Sequence, residues 1–251
     1  MKKLALFAVV LLLAGFAASP GVAQAGPPPG PPAGGPIARG FFEFMGAGRG
    51  WSKTVVGAPF SAQAVTETKQ TLSNGNIIDR QETSTIYRDS EGRTRVDRTL
   101  KMIGPWTSSG TPPEITSIRD PVAGFNYILN PAKKTAVKMP IPPARTRPMR
   151  HPANGQGQTA WQRSTQSLGN KVINGVEAEG TQTTVTIPAG SIGNQEAITV
   201  VSQRWYSPEL QIDVMTERND PRFGDTTYQL TNIQQTEPSP SLFQVPSDYT
   251  L

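Results

Sequence analysis

From Ala62 to the end, this chain is written in the two-residue period of β-strands, rich in threonine and valine, and turn-forming pairs cut it at short intervals. Helical periodicity is almost absent, so whatever core the chain builds has to be made from sheet. The spans Ala62–Leu72 and Ile77–Arg88 flank Ser73-Asn74-Gly75-Asn76, where Asn-Gly supplies the positive φ angles of a tight hairpin. Asp89-Ser90-Glu91-Gly92 turns the chain again into Arg93–Ile103, which completes a three-stranded meander. Short strands follow at Glu114–Arg119, Gly124–Leu129 and Thr135–Met139. Five more are expected at Lys171–Ile173, Val176–Ile187, Glu196–Tyr206, Glu209–Arg218 and Thr226–Gln235, with turns at Asn174-Gly175 and Ser207-Pro208.

The alternation indicates which faces are dry. Thr181, Thr183, Val185 and Ile187 share one side of their strand, and Leu210, Ile212 and Val214 oppose Gln211 and Asp213. By contrast, Asp79, Arg80, Gln81 and Glu82 succeed one another, so that strand is wet on both sides in its middle. An open, curved sheet accommodates this more easily than a closed sandwich. Leu242, Phe243 and Val245 in the tail are expected to pack against the sheet.

The N-terminus has a different character. Lys2 and Lys3, the uncharged apolar run Leu4–Ala18 and the small-x-small sequence Ala23-Gln24-Ala25 form an export signal, residues 1–25. The apolar run falls short of the roughly 20 residues that span a bilayer as a helix, so no stable membrane insertion is expected after cleavage. Cleavage after Ala25 leaves 226 of the 251 residues and lowers the formal net charge from +5 to +3, too mild a bias for a nucleic-acid binder. Residues 26–40 form a tether; ten of the eleven from Gly26 to Pro36 are proline or glycine. One β domain, residues 41–251, follows. In it Phe41-Phe42-Glu43-Phe44-Met45 reads as a plug for one end of the core, or as a lid. There is no cysteine, hence no disulfide framework, thiolate metal site, cysteine nucleophile or lipid-bearing cysteine after the leader. A soluble, unanchored monomer in the periplasm or outside the cell is expected, dependent on a packed core.

Little catalytic chemistry is visible, and no cofactor or metal is implied. His151 is the single histidine and sits among prolines and arginines, as a solvated loop residue would. Glu177 with Glu179, and Asp213 with Glu217, have the spacing that puts two carboxylates on one strand face, as glycosidase acids or solvated outer faces do. The acids Asp79, Glu82, Asp89, Glu91 and Asp97 alternate with Arg80, Arg88, Arg93, Arg95 and Arg98, which suggests cross-strand ion pairs. Gly46-Ala47-Gly48-Arg49-Gly50 lacks the Lys-Ser/Thr that ends a P-loop. From Pro121 to Val176 no acid occurs, and the basic residues there include Lys133, Lys134, Lys138, Arg145, Arg147 and Arg150. They form a candidate contact for an anionic partner, or the charged surface of an insert at residues 140–159.

The segment from Trp205 to Leu251 resembles the closing strands of periplasmic lipoprotein carriers of the LolA/LolB type. The resemblance rests on the Asp220-Pro221-Arg222 turn, the Tyr-x-Leu-x-Asn-Ile strand from Tyr228 to Ile233, and Leu242-Phe243-Gln244-Val245-Pro246. Asp120-Pro121 and Tyr127-Ile128-Leu129-Asn130-Pro131 fit the same pattern. It implies a mainly β fold with little helix, an open, unclosed antiparallel β-barrel whose apolar concave face accepts an acyl chain or another lipid. On that reading the protein is not an enzyme, and Val96, Leu100, Met102, Phe125, Tyr127, Val185, Ile187, Val200, Ile212 and Val214 line the ligand wall, or else fill a core. A sensor that binds another envelope protein, and a hydrolase of an extracellular polymer with two carboxylates in a cleft, are the alternatives.

Overall fold

The computed structural model describes residues 53–99, 112–141 and 161–251, together with the backbone of 102–103 and 106–107. The leader, the tether, Phe41–Met45, Leu100, His151 and the insert after Ile141 lie outside the described residues. Thirteen strands follow in chain order: β1 (Phe60–Thr71), β2 (Ile77–Arg88), β3 (Thr94–Thr99), β4 (Met102–Ile103), β5 (Trp106–Thr107), β6 (Glu114–Asp120), β7 (Phe125–Asn130), β8 (Thr135–Pro140), β9 (Gln162–Ile173), β10 (Val176–Ile187), β11 (Ile198–Ser207), β12 (Ile212–Asp220) and β13 (Gly224–Gln234). One turn of 3-10 helix, Pro240–Phe243, follows them.

Eleven strands make one sheet in the order β8-β7-β6-β3-β2-β1-β13-β12-β11-β10-β9, every neighbouring pair antiparallel. Among the described residues no ladder joins the outer strands β8 and β9, so the sheet is unclosed, as expected. The chain makes two meanders, and the pairing of its first strand with its last joins them in the middle, from Ser61↔Gln234 to Lys69↔Asp225. The connection from Ile141 to Trp161 therefore links the sheet's two edges.

Three expectations need correction. The third strand does not run on to Ile103: β3 ends at Thr99, and Met102–Ile103 pairs with Trp106–Thr107 in a separate hairpin. β9 begins at Gln162, well before Lys171; its first half is polar on both sides, so only main-chain bonds to β10 reveal it as a strand. β10 does not have one dry face. Its buried positions are Val176, Ala178 and Gly180 at one end and Ile187 at the other, with Thr181–Thr186 all half-buried, because a twelve-residue strand twists from one environment into another.

Between β1 and β8 the ladders run without a register shift, so residues opposite one another share a face. On this basis Val96 and Asp97 mark opposite faces, and each face has its own apolar cluster. Phe60, Ala62, Ala64 and Ile86 on the Val96 face join Val176, Ala178, Trp205, Leu210, Ile212, Val214 and Leu230. Ile118, Leu129 and Ala136 on the Asp97 face are covered by Phe243 from the tail, with Leu242 and Val245 packed alongside as expected. Gly180 is required in the first cluster because a Cβ there would lie 2.4 Å from Trp205 Cζ3.

Candidate functional site

A row that is apolar except at Ser117 crosses the Val96 face through Ala62, Ile86, Val96, Ser117, Ile128 and Val137, one residue from each of six successive strands. Ala62 and Ile86 are each 3% exposed, Val96 and Ile128 are half-buried, and Val137 at the edge is 58% exposed. Met139, on the same side of β8, is 37% exposed. A polar belt borders this row. Ladder pairing sets Glu82 opposite Thr66, and continues from Thr66 through Tyr228, Thr216 and Arg204 to Thr181. Burial lowers the pKa of the Arg98 guanidinium, against the opposing pull of Glu82 and Tyr228. Burial, with Asp213 nearby, holds the Tyr228 phenol above its usual range, so it stays protonated. Beyond the belt the face turns apolar again, with Val200 opposite Val185 and Ile198 opposite Ile187.

The ten residues of the expected wall do not share one surface. Val96, Val185, Ile187 and Val200 lie on the Val96 face; Ile212 and Val214 are in the first core cluster. Phe125 and Tyr127 lie on the opposite face, Tyr127 directly across from Ile118. Leu100 and the side chain of Met102 are outside the described residues.

On the Asp97 face a cleft of about 620 Å³ opens where the β2–β3 ladder stops, at Ser84↔Arg98. Thr83, Thr85, Asp97, Thr99, Glu114 and Thr116 form its floor, Arg95 and Arg98 border it, and Pro131, Pro246 and Tyr249 form its walls. Thr116 Oγ1 donates to Asp97 Oδ1 at 2.6 Å, and Arg95 Nε donates to both Asp97 oxygens at 2.9 Å. Arg95 Nη1 also donates to the Leu242 carbonyl at 3.0 Å, which ties the cleft to the tail. The tail is held further by Lys134–Asp248 at 2.9 Å, by the Arg93 guanidinium 5.3 Å from the Phe243 ring, and by two main-chain bonds between Thr250 and the edge of β8. Sequence reasoning missed this cleft because its floor is drawn from three strands whose residues are individually ordinary.

The basic residues are less bare than the acid-free stretch implied. Lys134 finds its counter-charge in Asp248, far along the chain, and Lys138 sits 3.9 Å from the Phe125 ring. Lys133 is exposed on the β7–β8 turn, and Arg145, Arg147 and Arg150 lie outside the described residues. Lys171 stacks 3.7 Å from Trp205. In the arginine–acid series Arg93–Asp89 at 2.5 Å and Arg95–Asp97 at 2.9 Å pair within a turn or strand, while Asp79 meets Lys69 across the β1–β2 ladder at 3.8 Å and Glu82 acts on Arg98 from the neighbouring strand. Arg88 instead turns inward. Its Nε donates to the Ala58 carbonyl at 2.9 Å, its Nη2 to the Leu210 carbonyl, and burial pushes its pKa down to about 10.

Of the two carboxylate pairs, one separates. Asp213 pairs with Arg204 at 2.5 Å, whereas Glu217 lies opposite Gln203, the residue before Arg204, so the two acids occupy opposite faces. A register shift at Trp205/Tyr206 inserts an extra residue into β12 and reverses the alternation. Glu177 and Glu179 share an exposed face, and Asn170 Nδ2 donates to Glu177 at 3.2 Å. Among the described residues no group of three metal-ligating side chains occurs.

No protein-family model matches the chain, and no curated protein matches it. Among solved structures there are matches at low identity. A LolA superfamily protein from Nitrosomonas europaea matches at 9% identity over 78% of this chain and 94% of that one, TM-score 0.32. The lipoprotein LppX from Mycobacterium tuberculosis matches at 13% identity over 72% and 90%, TM-score 0.30. MucB of Pseudomonas aeruginosa, in its complex with MucA, matches at 13% identity over 79% of this chain, TM-score 0.41. This chain spans 59% of that MucB chain.

Proposed function

We propose that this chain is an exported, non-catalytic binding protein whose Val96 face takes an apolar or amphiphilic ligand such as an acyl chain. The observation that carries the proposal is the row from Ala62 to Val137, which begins in a closed core and ends at an edge where valine and methionine meet solvent. An apolar surface continuous with a core and open at one end offers a ligand burial at about 25 cal/mol per Å² of apolar area. The polar belt of Glu82, Arg98 and Tyr228 beside it suits a ligand that carries a head group. The leader delivers the chain outside the cytoplasm, and no described helix is long and apolar enough to cross a membrane.

Organic extraction of the purified protein followed by mass spectrometry should recover a lipid at near-stoichiometric amount. Val137→Asp combined with Met139→Asp should abolish that retention. Both side chains are exposed, so stability should change by no more than about 0.5 kcal/mol per site. Repeated recovery of no lipid, together with failure to take up a fluorescent fatty acid, would refute the proposal.

A further inference from the structure

We infer that the cleft on the Asp97 face is a second binding site, made for a neutral oligosaccharide. Arg95 and Asp97 neutralise each other, Glu114 adds one negative charge, and Arg98 is drawn to Glu82 and Tyr228 on the other face, so a phosphate is disfavoured. Asp97 has both oxygens engaged by Arg95 and one also by Thr116, which leaves it a poor metal ligand. What the cleft offers is hydroxyl groups: Thr83, Thr85 and Thr99 can donate and accept, as sugar hydroxyls require of their partners, while Thr116, whose proton goes to Asp97, can accept. Pro131, Pro246 and Tyr249 add flat C–H and aromatic surface on which a pyranose ring can stack.

A peptide fits less well. Thr85, Asp97 and Thr116 lie opposite one another in strands laddered on both sides, so their main-chain groups are already committed and only side chains face the cleft. An added strand would find no hydrogen-bonding edge at these three residues and could enter only beyond Ser84↔Arg98, where the β2–β3 ladder stops. The volume of about 620 Å³ falls in the range of roughly 300–1,000 Å³ typical of small-molecule sites. The site is independent of the acyl-chain reading, since its floor lies on the opposite face of the sheet.

The experiment is saturation-transfer NMR on the full mature chain with two uncharged probes, triacetylchitotriose and cellotriose. At least one should receive saturation at millimolar concentration. Glu114→Gln, at an exposed lining position, and Tyr249→Ala in the tail should each weaken its affinity about tenfold. Fatty-acid uptake should be unchanged in both variants, which separates failure here from failure of the acyl-chain reading. No transfer to either sugar, or affinity that survives both substitutions, overturns the inference. So does an uncharged Gly/Ser decapeptide that displaces the sugar, because the cleft would then be a peptide groove.

Discussion

Four hairpins of this protein are closed by one chemical device. Asp120, Asn130, Ser207 and Asp220 each precede a proline, and each side-chain oxygen accepts a backbone N–H two or three residues on, at 2.8–3.2 Å. The fifth position is left-handed in every case: Gly124, Lys134, Gln211 and Gly224 have φ of 80, 50, 50 and 89°. Glycine is obligatory at 224, where a Cβ would lie 2.1 Å from the Lys69 carbonyl oxygen. Asp220 goes further. Hydrogen bonds from Arg222, then from Arg218 and the Arg222 backbone, hold its carboxyl well below the usual carboxylate range despite burial. A pKa depressed in the fold gives stability that is complete above the unfolded value of about 4 and is lost as pH falls further toward the folded value. Asp220→Asn should therefore cost about 1.5–3 kcal/mol at pH 7, with the gap to wild type closing as the pH of urea unfolding drops below about 4. A gap independent of pH would disprove this role. The Asp-Pro and Asn-Pro pairs were legible in the sequence, and so were the turns, because this chemistry is local.

At the scale of the element, legibility depended on periodicity. β12 announces itself because Ile212 and Val214 alternate with Asp213, whereas the first half of β9 is held by backbone bonds alone and carries no apolar signal. The same strand β12 shows where alternation misleads: its extra residue places Asp213 and Glu217 on opposite faces, and no spacing rule detects a bulge. The tail is an element without secondary structure over most of its length, yet it closes a core. Phe243 is 2% exposed over Ile118, Leu129 and Ala136, and Thr250 covers part of the edge of β8. Phe243→Ala should destabilise the protein by about 3 kcal/mol in urea unfolding. A loss below about 1 kcal/mol would show that the tail merely rests on the sheet.

At the scale of the whole molecule, the decisive contact is between the beginning and the end. β1 pairs with β13 from Ser61↔Gln234 to Lys69↔Asp225, and this ladder makes one sheet of two meanders. The connection from Ile141 to Trp161 adds no described ladder. Residues 26–141 and 161–251 produced as separate chains should therefore assemble on co-expression and elute as one species. Independent elution of the two pieces would mean that the connection, rather than the β1–β13 ladder, holds them together. The carboxylate–guanidinium arrangement of the cleft belongs to this scale too, since Asp97, Thr116 and the Leu242 carbonyl meet only when β3, β6 and the tail are in place.

The sequence by itself determined the class of fold and most turns, because strand period, proline, glycine and Asx hydrogen bonding act over a few residues. Only the tertiary structure decided which strands are neighbours, that Val96 and Tyr127 face opposite ways, that Lys134 has an acid partner, and that a polar cleft opens beside Asp97. Those facts depend on register between strands far apart in the chain. A one-residue slip or a single bulge exchanges the two faces of a strand while leaving its local pattern untouched.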